Sequence, residues 1–161
     1  LAPKPDFRWE AIILTPAGGS RSPSPSTQDL DHGRHRLAMD GAAVRSVLVP
    51  FTGGPGMDAA LEKAGWRIED LDLVALHEAN LTLNSTIVNL WRERGFRGTV
   101  LDAGGQFGNT TSASIPLALA LNPAELTVGR KIGLFGFGGG LSASFAMGTI
   151  RHPLPTWMEL G

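Results

Sequence analysis

LDLVALHEANLTLNSTIVNLWRERGFRGTVL, residues 71–101, contains three consecutive elements whose order indicates the fold. The apolar run at Leu71–Leu76 predicts a buried strand. Apolar side chains at helical spacing then predict an amphipathic helix over Asn84–Arg94, and the pattern at Thr99–Leu101 predicts a second, brief strand. A strand, a helix and a strand in this order are typical of α/β proteins.

The chain beyond residue 101 continues this alternation. The pattern over Thr111–Leu121 predicts a helix of small residues, in which Pro116 is tolerated near the first turn or at a kink. Lys131–Phe135 and Leu141–Ile150 are predicted to be two strands joined through glycines. The predicted fold class is therefore α/β, with a mixed β-sheet layered with helices. With 161 residues, the chain is predicted to form a single domain, residues 1–161.

The first part of the chain is less regular. One strand is predicted over Trp9–Leu14, whereas residues 16–35 are rich in Ser, Pro and Gly and are predicted to form a flexible loop. Two helical segments, Gly41–Val49 and Met57–Ala64, are separated by Pro50 and several glycines. A break or a strong kink between them is therefore expected.

The composition excludes several classes of function. Hydrophobic residues make up 42% and charged residues 18%, which is typical of a globular protein, and the net charge of -1 provides no general attraction to nucleic acid or anionic lipid. No apolar run reaches the ~20 residues of a membrane span, and no apolar signal segment follows Leu1, so a cytoplasmic protein is expected. The chain has no cysteine and therefore no cysteine nucleophile of its own.

Neither a metal nor a bound cofactor is expected. His32 and His35 have no carboxylate or thiolate arrangement near them in the sequence that is typical of a metal site. The Gly136-x-Gly138 pattern lacks the third glycine of a dinucleotide fingerprint, and the sequence contains neither a phosphate-binding loop nor a nucleophile elbow.

Three segments that could carry chemistry each follow a predicted strand, which is where ligands collect in open α/β sheets. They are HEAN at 77–80, GQFGNT at 105–110 and FGGG at 137–140. The side chains of His77 and Asn109 can both direct N–H donors at one carbonyl oxygen and so stabilise the enolate that forms when an acid decarboxylates. Each also has a structural interpretation, as a strand-end histidine and as a turn asparagine.

The glycines at 138–140 are open to the same two interpretations. In one, Gly138, Gly139 and Gly140 form a tight turn between strands that needs positive φ. In the other, a backbone without side chains closes on a reacting carbonyl group.

Taken together, these segments resemble the C-terminal half of β-ketoacyl-acyl-carrier-protein synthase III, a member of the thiolase superfamily. Residues 77–80 resemble the family's His-Gln-Ala-Asn segment, and residues 108–114 resemble its Gly-Asn-Thr-Ser-Ala-Ala-Ser segment. Residues 137–140 resemble its closing Phe-Gly-Gly-Gly, and residues 39–41 resemble the Met-x-Gly at the start of its long helix. The similarity covers roughly residues 37–150.

The resemblance implies a thiolase-like half whose substrates are thioesters of coenzyme A or of phosphopantetheine. His77 and Asn109 would polarise the thioester carbonyl of a malonyl-type extender as it loses carbon dioxide. Asn80 would brace the pantetheine pocket, and Gly139 would lend a backbone N–H to an oxyanion hole for the acyl group. In the family the N-terminal half supplies the cysteine that takes the acyl group, so a cysteine-bearing partner half, an acyl-CoA or acyl carrier protein, and a dimeric assembly are expected.

Two positions depart from the family pattern. Thr82 stands where an arginine takes part in carrier-protein docking, so docking by this route is not expected. The Gly53–Gly56 run falls inside what is a continuous helix in the family. That helix is expected to be either broken here or rescued by local contacts.

Three functions fit these observations. In the favoured one, the chain is the His77/Asn109-bearing half of an enzyme that condenses or transfers acyl groups, with the cysteine on a separate or N-terminal polypeptide. In the second, it is a non-catalytic, architectural half that completes a synthase. The third, an independent lyase or hydrolase that uses His77 alone, has only the acid–base part of a mechanism.

Overall fold

The computed structural model describes residues 13–18, 24–103, 105–139 and 141–152. Its strands are β1 (Ile13–Leu14), β2 (Ala38–Met39), β3 (Leu73–Leu76), β4 (Thr99–Leu101), β5 (Lys131–Gly138) and β6 (Ser142–Thr149). Its helices are α1 (Thr27–Asp31), α2 (Gly41–Gly53), α3 (Pro55–Ala64), α4 (Leu81–Glu93) and α5 (Ser114–Leu121). Among these described helices, none has the length and apolar character needed to cross a bilayer.

The residues fall into two compact units. Of the described residues, one unit contains those up to Val47 together with those in the range 137–142, and the other contains those in the range 48–136 and those from Ala143 onward. His77 and Asn109 both belong to the second unit. The single domain expected over residues 1–161 stays a prediction.

A four-stranded sheet in the order β4-β3-β5-β6 organises the larger unit. β3 lies between β4 and β5 and is parallel to both, with Val74 opposite Val100 on one side and opposite Gly133 on the other. All four residues of β3 are buried, as is usual for a parallel strand covered on both faces. The α/β fold class with helices layered on a sheet is therefore confirmed by the order and the packing of these elements.

Two apolar clusters cover the sheet. In one, the rings of Trp91 and Phe135 lie 4.6 Å apart, and Phe96 meets Trp91 edge to face with ring centroids 6.4 Å apart. The other cluster includes Leu73, Ala75, Leu101, Ala118 and Leu126. Helix α4 contributes Trp91 to the first cluster. Leu83, Ile87 and Trp91 are spaced four residues apart and therefore share one buried face of this helix.

The smaller unit contains the segment predicted to be a flexible loop, residues 16–35. This segment includes the short helix α1, which the sequence analysis did not predict. The helix is stabilised at its start by a reciprocal capping box between Ser26 and Asp29. The strand predicted over Trp9–Leu14 is described only as β1, which pairs antiparallel with β2. Residues 9–12 and 19–23 lie outside the described residues, and the flexibility of the loop stays a prediction.

The break predicted between the two helical segments is confirmed, and it lies at Gly54, between α2 and α3. Pro50 lies inside α2, so the expectation that the helix ends before it is wrong. Two carbonyl groups at the break accept hydrogen bonds from a side chain on α4 and from the side chain of its C-cap residue. The indole Nε1 of Trp91 donates to the Thr52 carbonyl oxygen at 2.9 Å, and Nη1 of Arg94 donates to the Gly53 carbonyl oxygen at 2.6 Å.

These contacts explain why a broken helix is tolerated at this point. Pro55, the first residue of α3, has no N–H with which to continue the backbone ladder. The guanidinium group of Arg94 also pairs with Asp58 on α3, so one side chain holds both helices. The helix that the resemblance implies to be continuous is thus interrupted here, and contacts from α4 hold the two pieces together.

Candidate functional site

His77 follows β3 directly and is held by its backbone and by its ring. Its N–H donates to the Phe135 carbonyl oxygen at 2.8 Å, which extends the pairing of β3 with β5 by one residue. The imidazole is half-buried, and its Nδ1 lies 2.7 Å from Oγ of Ser114. The ring is therefore fixed in orientation at the carboxyl end of a central strand.

The surroundings of His77 favour the neutral imidazole. Burial lowers the pKa of His77 below its ordinary value, while the backbone of Thr111 and the negative charge of Glu78 act in the opposite direction. Burial prevails because a half-buried imidazolium loses more hydration than these two neighbours replace. Since the ordinary pKa of histidine is about 6.5, the ring is neutral at pH 7.

Ser114 is the buried partner of this ring. It is the first residue of α5, and its Oγ donates to the Thr111 carbonyl oxygen at 2.8 Å. Sequence reasoning included Ser114 in the resemblance to the family but gave it no role. Its contact with His77 depends on the turn at Thr111–Ala113, which the sequence pattern did not separate from the helix.

Asn109 lies in an exposed turn after Gly108, whose φ of 63° is in the left-handed region. Its Oδ1 accepts a hydrogen bond from the Thr111 N–H at 2.9 Å. Because the oxygen end of the amide is held in this way, the NH₂ end is the one available to donate to a ligand.

Thr111 links the two predicted catalytic side chains. Its N–H holds Asn109, and its carbonyl oxygen accepts from Ser114, which contacts His77. Thr111 also has a φ of 55°, which is rare for a β-branched residue and costs ~1–3 kcal/mol. Strain of this kind persists only where surrounding contacts fix the backbone, as these do.

Glu78 connects the loops that follow β3 and β4. Its side chain is only 6% exposed, and its Oε1 accepts from the Ala103 N–H at 3.1 Å. Within the described part of the chain its Oε2 has no hydrogen-bond partner. A separate hydrogen bond joins α4 to the end of β3: Nδ2 of Asn84 donates to the His77 carbonyl oxygen at 3.1 Å.

Asn80 has a structural role at the start of α4. Its Oδ1 accepts from the N–H groups of Thr82 at 2.9 Å and Leu83 at 3.2 Å, which makes it the N-cap of the helix. This cap explains why α4 begins at Leu81, three residues before the predicted start. Bracing of a pantetheine pocket by Asn80 stays a prediction.

No steric constraint within the described part of the chain requires glycine at positions 138 and 139. Gly138 ends β5 and Gly139 begins the turn after it. Neither has positive φ, and a Cβ at either position would meet open space. The turn between β5 and β6 is therefore present, but the positive φ that the tight-turn interpretation requires is not found at Gly138 or Gly139. Gly140 lies outside the described residues.

A cleft of about 450 Å³ lies beside α4 and the ends of β3 and β4. Glu78, Thr82 and Asp102 are among its lining residues, but His77 and Asn109 are not. It is therefore not the small cavity on which His77 and Asn109 are expected to converge, and that convergence stays a prediction. In the described ranges, no three His, Cys, Asp or Glu side chains are placed to hold a metal ion.

Comparison with known proteins supports the resemblance drawn from these segments. The family profile described as 3-oxoacyl-[acyl-carrier-protein (ACP)] synthase III C terminal matches residues 61–149, more than half of the chain. The chain belongs to this family. Its relatives include β-ketoacyl-[acyl-carrier-protein] synthase III 3 of Streptomyces coelicolor, 33% identical over a 136-residue alignment that covers 81% of this chain and 38% of that protein. Acetoacetyl CoA synthase NphT7 of a Streptomyces species is 34% identical over a 140-residue alignment that covers 84% of this chain and 41% of that protein.

Solved synthase III structures share the fold. The 3-oxoacyl-(acyl carrier protein) synthase III of Pseudomonas aeruginosa matches with a TM-score of 0.69 and 27% identity, over 91% of this chain and 43% of that one. The priming β-ketosynthase of the R1128 polyketide pathway matches with a TM-score of 0.67 and 31% identity, over 81% of this chain and 40% of that one. The chain thus spans about two fifths of the length of these curated relatives, and the family's C-terminal profile matches its residues 61–149.

Glu78 provides a test of how the synthase III loops are held together. Glu78→Ala should lower the free energy of unfolding by about 1–3 kcal/mol, because the buried Ala103 N–H loses its acceptor. Glu78→Gln should retain most of the stability, since an amide oxygen can accept the same bond. Urea unfolding of the variants measures both values. Glu93→Ala removes an exposed carboxylate from α4 and serves as the control, and a loss as large as that of Glu78→Ala would contradict the assignment.

Proposed function

We propose that this chain is the His/Asn-bearing half of a synthase III-like enzyme that condenses or transfers acyl groups from thioesters. The observation that carries the proposal is the anchored, neutral imidazole of His77 at the end of β3, connected through Ser114 and Thr111 to Asn109. A fixed donor set of this kind lowers a barrier because it needs no reorganisation when charge develops.

The reaction assigned to these residues is the decarboxylation of a malonyl-type extender. The C–C bond to the carboxylate breaks, carbon dioxide leaves, and the electron pair moves onto the thioester carbonyl oxygen. His77 and Asn109 hold that oxygen through N–H groups while it becomes negative. The enolate carbon then attacks the carbonyl carbon of an acyl group held as a thioester elsewhere in the enzyme. A C–C bond forms, the acyl C–S bond breaks with the thiolate as leaving group, and both carbonyl groups form again.

The glycines at the end of β5 fit a role in holding the acyl group. Gly138 and Gly139 have neither positive φ nor neighbours that would exclude a side chain. Their absent side chains leave their backbone open to close approach by a ligand. The proposed role of the Gly139 N–H, in an oxyanion hole for the acyl carbonyl, uses this open backbone.

The covalent step requires a partner half. The chain contains no cysteine, and formation of an acyl-enzyme needs a nucleophile. We therefore place the cysteine on a separate or N-terminal half, in a dimeric, cytoplasmic assembly. The relatives' names specify acyl carrier protein in one case and acetoacetyl-CoA in another, so both carriers are candidates, in fatty acid or polyketide synthesis.

The alternative function, an architectural half without catalysis, is favoured by one specific observation. Thr82 is exposed on the first turn of α4, and the resemblance places it where a family member known for carrier-protein docking has an arginine. A half that shapes the fold of a synthase without handling carrier-bound substrate has no need of that cation.

Reconstitution of a complete synthase from two halves distinguishes the catalytic function from the architectural one. Mixed with a cysteine-bearing N-terminal half of a synthase III, the chain should restore condensation of acetyl-CoA with a malonyl thioester, measured as release of labelled carbon dioxide. The same half with its cysteine replaced by alanine is the control. Assembly of the two halves without any turnover supports the architectural function instead, and decarboxylation by the chain alone supports an independent lyase.

A further inference from the structure

The side chain of Glu78 has one carboxylate oxygen that receives no hydrogen bond. Glu78 is only 6% exposed, and its Oε1 accepts from the Ala103 N–H at 3.1 Å. Within the residues that the structure describes, nothing donates to its Oε2. A buried charged acceptor in this position has lost its hydration without compensation, which is unfavourable. A donor that enters from outside the chain would therefore be bound favourably there.

A second acceptor without a donor lies on the same cleft. Nδ2 of Asn84 donates to the His77 carbonyl oxygen at 3.1 Å, and this bond fixes the direction of the amide. Its Oδ1 is buried and has no hydrogen-bond partner in the described ranges. Glu78 and Asn84 both line the cleft of about 450 Å³ beside α4. Each of the two side chains is thus anchored at one end and unsatisfied at the other.

The other residues of the cleft indicate what kind of ligand would supply the missing donors. Its wall includes a second carboxylate, that of Asp102, and among its described lining residues there is no Lys, Arg or His. Positively charged N–H groups complement such a surface. The remaining wall is largely aliphatic and suits an alkyl chain. It includes Leu76, Leu81, Val88, Val100 and Leu101.

We propose that this cleft binds an alkylammonium cation, whose N–H groups donate to Glu78 and Asn84 while its chain lies against the leucine and valine side chains. Its volume falls within the ~300–1,000 Å³ of small-molecule sites. A metal ion fits less well, because the described residues place no three His, Cys, Asp or Glu side chains together. Neither His77 nor Asn109 lines the cleft, so this second site does not rest on the proposed function.

Titration of the ¹⁵N-labelled chain with n-pentylamine tests the site. The amine is cationic at pH 7, because an alkylammonium group has a pKa of about 10.4, as in lysine. The amide signals of Glu78, Asn84 and Ala103 should shift and saturate, at roughly millimolar concentration for a ligand of so few atoms. 1-Pentanol keeps the chain but carries no charge, and it should bind about tenfold more weakly.

Two outcomes of the titration would overturn the proposal. Equal affinities for the amine and the alcohol would show that the cleft takes apolar chains without recognising charge. Shifts that do not saturate would show that the cleft holds no cation, and that water alone meets its polar groups.

Glu78→Gln tests the carboxylate while the loop after β4 stays anchored. The amide keeps an oxygen for the Ala103 N–H, but its NH₂ group takes the place of Oε2 and so presents a donor to the ligand's donors. Affinity for n-pentylamine should fall by about 10–100-fold, which corresponds to one hydrogen bond to a charged group. Urea unfolding checks that the variant is folded.

Glu93→Gln is the matched control, since it changes an exposed carboxylate at the end of α4 and should bind the amine as the unmodified chain does. Equal losses in the two variants, or an unchanged affinity in Glu78→Gln, would refute the role of Glu78. Ser85→Lys provides a second test that leaves Glu78 intact. Ser85 is exposed on α4 and lines the cleft, so a tethered ammonium group there should weaken n-pentylamine binding by roughly fivefold or more. Undiminished binding would contradict the site.

Discussion

Replacing His77 with alanine is expected to slow decarboxylation of a malonyl thioester by about 10²–10³-fold in the complete enzyme, formed by this chain with its cysteine-bearing half. The loss has this size because one preorganised donor to the developing enolate oxygen disappears. Transfer of the acyl group onto the partner cysteine should suffer less, since that step does not form the enolate. Release of labelled carbon dioxide and mass measurement of the acylated half report the two steps separately.

The control for this experiment is another histidine of the chain. His35→Ala removes an exposed imidazole before β2 and should leave both steps unchanged. Asn109→Ala should resemble His77→Ala in slowing decarboxylation more than acylation. If His77→Ala slows the two steps equally, or slows neither, the oxyanion role is wrong and the likeness to synthase III is one of fold.

Replacing Trp91 with alanine is expected to lower the free energy of unfolding by about 3–5 kcal/mol. The indole is fully buried against Phe135 and Phe96, so its removal leaves a large cavity. It also leaves the buried carbonyl group of Thr52 without its donor. A domain is stable by ~5–15 kcal/mol, so the variant should be largely unfolded on mild warming. Urea unfolding followed by circular dichroism gives the value.

Two further variants separate the contributions of Trp91. Trp91→Phe keeps an aromatic ring but removes the N–H that donates to Thr52. It should lower the free energy of unfolding much less than Trp91→Ala does. The lost hydrogen bond accounts for about 1 kcal/mol, and the less complete packing of the smaller ring adds to this loss. Trp66→Ala is the matched control, because Trp66 is only half-buried. Nζ of Lys131 lies over its ring, 5.0 Å from the ring centroid. Equal losses for Trp66→Ala and Trp91→Ala would refute the central place given to Trp91.

Much of the sheet could be predicted from sequence because its strands are short apolar runs with clear ends. The strand at Thr99–Leu101 was predicted with the observed bounds, and β5 and β6 differ from prediction by a few residues. The start of α4 was missed because Asn80 acts as a cap, which its place in the HEAN segment did not indicate. Pro50 was placed outside a helix because local propensity ignores contacts from residues 40 positions away, such as Trp91.

The candidate site was only partly predictable. His77 and Asn109 were found because they follow strands and match a family pattern. Ser114, Thr111 and Glu78 were not assigned roles, because those roles depend on the positive φ of Thr111 and on bonds between loops 25 or more residues apart. A pattern of residue types contains no information on such geometry until the backbone is known.

The junction between α2 and α3 has a consequence for the order in which the molecule forms. Its carbonyl groups at Thr52 and Gly53 find their donors on Trp91 and Arg94, about 40 residues further along. During synthesis, residues emerge from the ribosome in order, so Trp91 and Arg94 are not yet available when residues 41–64 have been made. The pair is locked only once the second half of α4 has been made, and a chain stopped before residue 94 should expose this junction to chaperones and proteases.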